Sequence, residues 1–133
     1  MTRPDDATIE RLLEAAKAVR VHAYVPYSHF AVGAALIAGG DVFTGVNIEN
    51  ASYPMSVCAE RNAVAAAVTA GRAQINAIAV VADASVITPP CGGCRQVLLE
   101  FGPHMTVVCA RIDGGREEWT LDELLPHAFT FER

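Results

Sequence analysis

Residues 75–110 read INAIAVVADASVITPPCGGCRQVLLEFGPHMTVVCA, and the fold turns on how this stretch is read. Ile75 to Ala82 is an apolar, β-branched run of strand length. Thr88-Pro89-Pro90 breaks the chain, and a helix follows from about Cys91 to Phe101, stopped by Gly102-Pro103. Met105 to Ala110 is another strand. Upstream, Cys58 to Ala70 is alanine-rich and free of breakers, so it is helical by propensity, with Gly71 where a C-terminal stop belongs. Phe30 to Ala38 reads as a buried strand, Gly39-Gly40-Asp41 as a turn and Val42 to Val46 as a second strand, which makes a hairpin. Asn47 to Val57 is irregular, broken by Asn50, Ser52 and Pro54. Nearer the start, Ile9, Leu12, Leu13, Ala16 and Val19 share one helical face, and Asp5, Asp6 and Glu10 suit the positive end of that helix. Past Ala110, Gly114-Gly115 turns and Leu121 to Leu125 is a short helix before Pro126. A hairpin followed by alternating helices and strands predicts a layered α/β fold with a mixed sheet, as one domain over residues 1–133.

Composition removes several functions. The chain is 52% hydrophobic and 19% charged, which excludes a disordered segment. Its longest apolar runs, such as Ala31 to Ala38, fall far short of the ~20 residues of a spanning helix. Ten basic against fifteen acidic residues give a net charge of −5, with scattered arginines and Lys17 as the one lysine. No basic stripe follows a phosphate backbone, so neither a nucleic acid nor an anionic membrane is an expected partner. The first six residues are acidic and lack an apolar stretch, which predicts a cytoplasmic protein. Cysteines in that compartment serve as metal ligands, catalytic groups or buried apolar residues rather than disulfides.

Two cysteine motifs carry the chemistry. Cys58-Ala59-Glu60 and Pro90-Cys91-Gly92-Gly93-Cys94 each fall at the start of a predicted helix. Exposed N–H groups and the helix dipole favour a thiolate there. Three thiolates suit zinc, and three protein ligands leave a fourth position for water, as in a catalytic site. A fourth protein ligand would close the site, and a bare C-x-x-C is equally a redox motif. Cys109 lies in a strand and reads as buried packing. His22, His29, His104 and His127 show no metal spacing; His104 is the alternative fourth ligand. Glu60, two residues after Cys58, sits within reach of a metal-held water, and a three-cysteine zinc site with a non-ligand glutamate is the signature of the zinc deaminases.

With these motifs in place, the chain from about Tyr24 to Phe129 resembles the small, homotetrameric cytidine deaminases of pyrimidine salvage. The likeness includes Tyr27-Ser28-His29-Phe30, Gly45-Val46-Asn47-Ile48-Glu49-Asn50-Ala51-Ser52-Tyr53, Cys58-Ala59-Glu60-Arg61 and Pro90-Cys91-Gly92-Gly93-Cys94-Arg95-Gln96, in that order. The resemblance implies a three-layer fold with a mixed five-stranded sheet and helices on both faces. It implies hydrolysis of free cytidine and deoxycytidine to uridine and deoxyuridine with release of ammonia. One Zn²⁺ per subunit would be held by Cys58, Cys91 and Cys94; zinc-bound hydroxide would attack C4, with Glu60 shuttling protons. Asn47 and Glu49, on one side of an extended segment, would read the sugar. Phe30 would pack on the pyrimidine and the Ala59 backbone would contact it. Phe129, with Phe131 as its competitor, and Ala51 and Tyr53 would complete sites of neighbouring subunits.

Three thiolates on one Zn²⁺ sum to −1, so Arg61 and Arg95 are expected to drain charge by donating to sulfur, with Gln96 as a supporting hydrogen-bond residue. Two competing readings remain: deamination of an aminated-cytosine antibiotic with the same chemistry, and a non-catalytic zinc module in an oligomeric interaction protein.

Overall fold

The computed structural model describes residues 2–131. Its elements run α1 (Asp6–Val19), a 3₁₀ turn (Arg20–His22), β1 (Val32–Ala38), β2 (Asp41–Val46), a second 3₁₀ turn (Tyr53–Met55), α2 (Ala59–Thr69), β3 (Ile75–Ala82), α3 (Gly92–Phe101), β4 (Thr106–Arg111), β5 (Arg116–Thr120) and α4 (Leu121–Leu124). The strands form one sheet in the order β2-β1-β3-β4-β5. Among the described strands only β3 and β4 run parallel, which follows from the helix that connects them; the other neighbours are antiparallel.

The strand side chains alternate between two apolar layers. Ala35, Ala77, Ala79, Val81 and Val108 pack against Ile9, Leu12, Leu13 and Ala16 of α1. On the opposite face, Leu36, Ile78, Val80 and Val107 meet Ala63 and Val64 of α2, Leu98 of α3 and Leu121 of α4. The sheet is therefore covered on both sides, and β1 and β3 read as continuous apolar runs because both of their faces are buried.

Two local features fix helix positions, the second of them at the site. Asp5 caps α1 by accepting from the Thr8 N–H at 2.8 Å. Gly45 lets β2 touch α2 backbone to backbone: a Cβ there would lie 2.4 Å from the Ala63 nitrogen and 2.5 Å from the Ala59 oxygen. That contact sets where the first turn of α2 lies.

Two departures from the sequence reading have clear causes. The first strand begins at Val32 rather than Phe30, because the Asn47 side chain binds the Phe30 carbonyl and the Val32 N–H in place of a strand partner. A fifth strand, Arg116–Thr120, follows the Gly114 turn, where residue patterning showed none. It is a polar edge strand, Arg-Glu-Glu-Trp-Thr, without the apolar alternation that marks a half-buried one.

Candidate active site

Cys58 is the N-cap of α2 and Cys91 the N-cap of α3. Both have extended backbones, and neither side chain bonds back to its helix, so the sulfurs are free to turn towards each other. Cys94 lies one turn into α3 and is fully buried. The three Sγ atoms lie within 4.8 Å of one another. The Cys58 thiol is pulled down to about 6, first by a hydrogen bond from Cys94, then by Cys91 and the Arg61 charge, against its own burial. Cys94 is pushed up as the donor of that bond and by burial. Three sulfurs drawn together, one of them lowered towards ionisation, form a donor set that fits a soft divalent cation such as zinc. Cys109 stands apart in β4, 1% exposed, its thiol raised to about 12 mainly by burial. His104 pairs with Asp122 at 3.5 Å and lies outside the cluster.

Glu60, the second residue of α2, is 6% exposed. Burial pushes its carboxyl up to about 7, and the Cys58 charge adds to the rise. A carboxyl poised near neutrality both accepts and donates a proton. It opens onto a cavity of about 220 Å³ whose walls include Phe30, Asn47, Cys58, Ala59 and Cys91.

Asn47 and Glu49 flank Ile48, whose backbone bridges to Tyr24 and Val57. Asn47 lines the Glu60 cavity, Asn47 and Glu49 together line a second hollow with Tyr53 and Cys58, and Glu49 also borders a third with Ser28, Ala51 and Tyr53. Asn47 Oδ1 accepts from the Val32 N–H at 2.9 Å, and its Nδ2 donates to the Phe30 carbonyl at 2.7 Å. Glu49 Oε1 accepts from the Tyr27 and Ser28 N–H groups, both at 3.1 Å, and Oε2 accepts from the Ser28 hydroxyl. The Ser28 bonds hold the Glu49 carboxyl below its usual range.

The remaining residues spread outward. Tyr53 is 82% exposed. Phe129 is 66% exposed and meets Phe131 edge-on at 5.0 Å; both border a hollow with Leu99 and Pro103, away from the cavity of their own chain. Arg61 is exposed and acts on Cys58 through its charge. Arg95 departs from the expected donation to sulfur: its Nε donates to the Pro90 carbonyl and its Nη1 to the Leu124 carbonyl, each at 2.7 Å. Pro90 immediately precedes Cys91, so the guanidinium grips the metal loop through backbone. Two strong carbonyl acceptors lie on its planar fork, which explains the preference over sulfur. Gln96 Nε2 donates to the Phe129 carbonyl at 3.0 Å, so it supports the C-terminal segment.

The sequence patterns assign Ser28, Thr88 and Pro89 no role in the site, yet Ser28 holds Glu49 and the other two wall the cavity. The available signal for Ser28 was a hydroxyl two residues before an aromatic in a turn, where such side chains bond the backbone.

Comparison with known proteins agrees with this geometry. Residues 6–110 match the family model of the cytidine and deoxycytidylate deaminase zinc-binding region. A cytidine deaminase of Halalkalibacterium halodurans is 50% identical over 125 residues, 92% of this chain and 95% of that protein. One from Sporosarcina psychrophila is 48% identical, covering 93% of each. The crystal structure of a cytidine deaminase from Burkholderia pseudomallei superposes with a TM-score of 0.87 at 48% identity, over 90% of this chain and 98% of that one. That of the Mycobacterium tuberculosis cytidine deaminase gives 0.80 at 39% identity, over 96% and 100%. With its fold and nearly its whole length shared with these enzymes, and with a zinc-binding deaminase region matched over residues 6–110, the chain belongs to the cytidine deaminase family.

Proposed function

We propose that the chain acts as a single catalytic domain that hydrolyses free cytidine and deoxycytidine to uridine and deoxyuridine in pyrimidine salvage. The observation that carries this reading is Glu60: a buried carboxyl raised towards neutrality, two residues from Cys58 and in one cavity with Phe30. One zinc ion per subunit, which Cys58, Cys91 and Cys94 would hold, would supply a Lewis acid for activating the attacking water.

The chain's residues do the rest. Phe30 packs on the pyrimidine, and the backbone of Ala59 contacts it. Asn47 and Glu49 bind the sugar. Glu60 takes one proton from the attacking water and places it on N3, then passes the second to the departing amino group. Both water protons are thereby used: one stays on the product ring and one leaves with ammonia. Arg61 offsets the thiolate charge. Ala51, Tyr53 and Phe129 complete neighbouring sites in a cytoplasmic homotetramer, which accounts for aromatic rings so exposed in the single chain.

The test is loss of cytosine absorbance on mixing zinc-loaded protein with cytidine and with deoxycytidine, beside Glu60→Gln. Wild-type turnover is expected, with a loss of at least about 10²-fold in the variant at unchanged zinc content. A zinc-loaded, folded tetramer without turnover would overturn the reading and direct the assay to aminated-cytosine antibiotics.

A further inference from the structure

Phe30 is suspended by both of its backbone groups, and neither bond comes from a strand. Its N–H donates to Ser28 Oγ at 3.0 Å, and its carbonyl accepts from Asn47 Nδ2 at 2.7 Å. Ser28 is itself held from the far side, its hydroxyl donating to Glu49 Oε2 and its N–H to Glu49 Oε1. Between Ser28 and Phe30, His29 sits at φ 58, in the left-handed region that lets the chain reverse within one residue. The loop 27–30 is thus folded around one carboxylate.

A serine hydroxyl has one proton and two lone pairs. With its proton committed to Glu49, the Ser28 oxygen is left as an acceptor, and the Phe30 N–H takes that role. The same oxygen therefore joins the carboxylate proposed to read the sugar to the ring proposed to pack on the base. Hydrogen bonds in such a chain polarise one another, so a change at either end reaches the other.

We propose that Ser28 is a positioning residue for the reaction, coupling Glu49 to Phe30 so that sugar binding and base stacking form one unit. This rests on the nucleoside-binding reading above. Removing the hydroxyl leaves the Phe30 N–H without its partner and Glu49 Oε2 without its Ser28 donor. Its effect belongs in binding, because Glu60 and the cysteines stand on other elements.

The experiment is steady-state kinetics of Ser28→Ala, Ser28→Thr, Glu49→Gln and the Ser28→Ala/Glu49→Gln pair, on cytidine and on 2′,3′-dideoxycytidine, which lacks the ring hydroxyls. A lost hydrogen bond to a charged group predicts a rise of about tenfold in KM for cytidine in Ser28→Ala, with kcat within about twofold. Ser28→Thr, which keeps donor and acceptor, should return KM to within about threefold of wild type. In the Glu49→Gln background the Ser28→Ala step should cost no more than about threefold, and on the dideoxy substrate it should shrink likewise. Equal costs in both backgrounds, a KM change below twofold, or failure of Ser28→Thr to restore binding would overturn the proposal. Thermal midpoint and zinc content are recorded for each variant. Should Ser28→Ala not fold, Ser28→Cys, a weak donor and acceptor, carries the same comparison. Absence of turnover in the wild type would instead overturn the nucleoside reading itself.

Discussion

Gly45→Ala is expected to disturb the metal centre from the far side of α2. Gly45 lies in β2, paired with Ala34 of β1. An added Cβ would meet the Ala63 nitrogen at 2.4 Å, the Ala59 oxygen at 2.5 Å and the Asn62 carbonyl carbon at 2.9 Å. These atoms are backbone, so no side chain can swing aside. Ordinary van der Waals separation requires a retreat of about 1 Å. α2 resists it, because Asn62 Nδ2 donates to the Val46 carbonyl at 2.8 Å and Ala59, Ala63, Val64 and Ala67 are buried. Overpacking typically costs about 1–3 kcal/mol, and a clash with rigid backbone belongs at the upper end. At about 3–5 °C per kcal/mol for a chain of this length, the thermal midpoint should fall by about 10 °C or more. If α2 gives way, it carries Cys58 and Glu60 away from Cys91 and Cys94. Metal sites tolerate only about 0.2 Å in ligand distance, so zinc retention against a chelator should fall with stability. Loss of stability with unchanged zinc retention would place the relaxation in the edge strand β2 instead. A midpoint within about 2 °C of wild type, with zinc retention intact, would refute the argument that this backbone contact positions the site.

Arg95→Met keeps the aliphatic stem and removes both carbonyl bonds; stability should drop by about 2 kcal/mol and the segment after Leu124 should become more sensitive to protease, and unchanged cleavage would show that the guanidinium is not a clamp. Glu118 accepts two bonds from Arg3, at 2.6 and 2.9 Å, which lowers its carboxyl below the usual 4.5. A folded-state value below the unfolded one gives stability that is present above pH 4.5 and is lost as pH falls through the folded value. Glu118→Gln should therefore lower the midpoint by no more than about 3 °C at pH 7, and the difference should close in acid; a gap that widens there would reverse the assignment. Cys109, buried with its thiol raised to about 12, should react with a disulfide reagent at pH 8 about a thousandfold more slowly than a free thiol until the protein is denatured, and rapid labelling of the native form would contradict its packing role.

Much of the architecture was legible because it is written in local patterns. Ile75–Ala82 announces itself by β-branching, α2 by its alanines, and the β1–β2 hairpin by Gly39-Gly40, which adopt φ values of 60 and 82. The helix starts at Cys58 and Cys91 were equally local, since chain breakers and propensity set where a helix begins. The strand Arg116–Thr120 was not, because an exposed edge needs no apolar alternation and is defined only by its pairing with β4. Nor was the true start of β1, which depends on an Asn47 side chain fifteen residues beyond Val32.

By itself, then, the sequence determined the order of the elements other than β5, a layered α/β fold with a mixed sheet and the placing of three thiols at or within one turn of two helix starts. Periodicity, caps and breakers act within a few residues of each position. Only the tertiary structure decided that two separate helix caps converge within 4.8 Å, that Arg95 grips carbonyls at Pro90 and Leu124, and that Ser28 stands between Glu49 and Phe30. Ser28 and Phe30 apart, which are two residues from each other, the partners that meet across these elements are 5 to 36 residues apart along the chain. The convergence exists because β2 and α2 touch at a glycine and α3 packs over β3 and β4, and no local pattern encodes a distance set by packing.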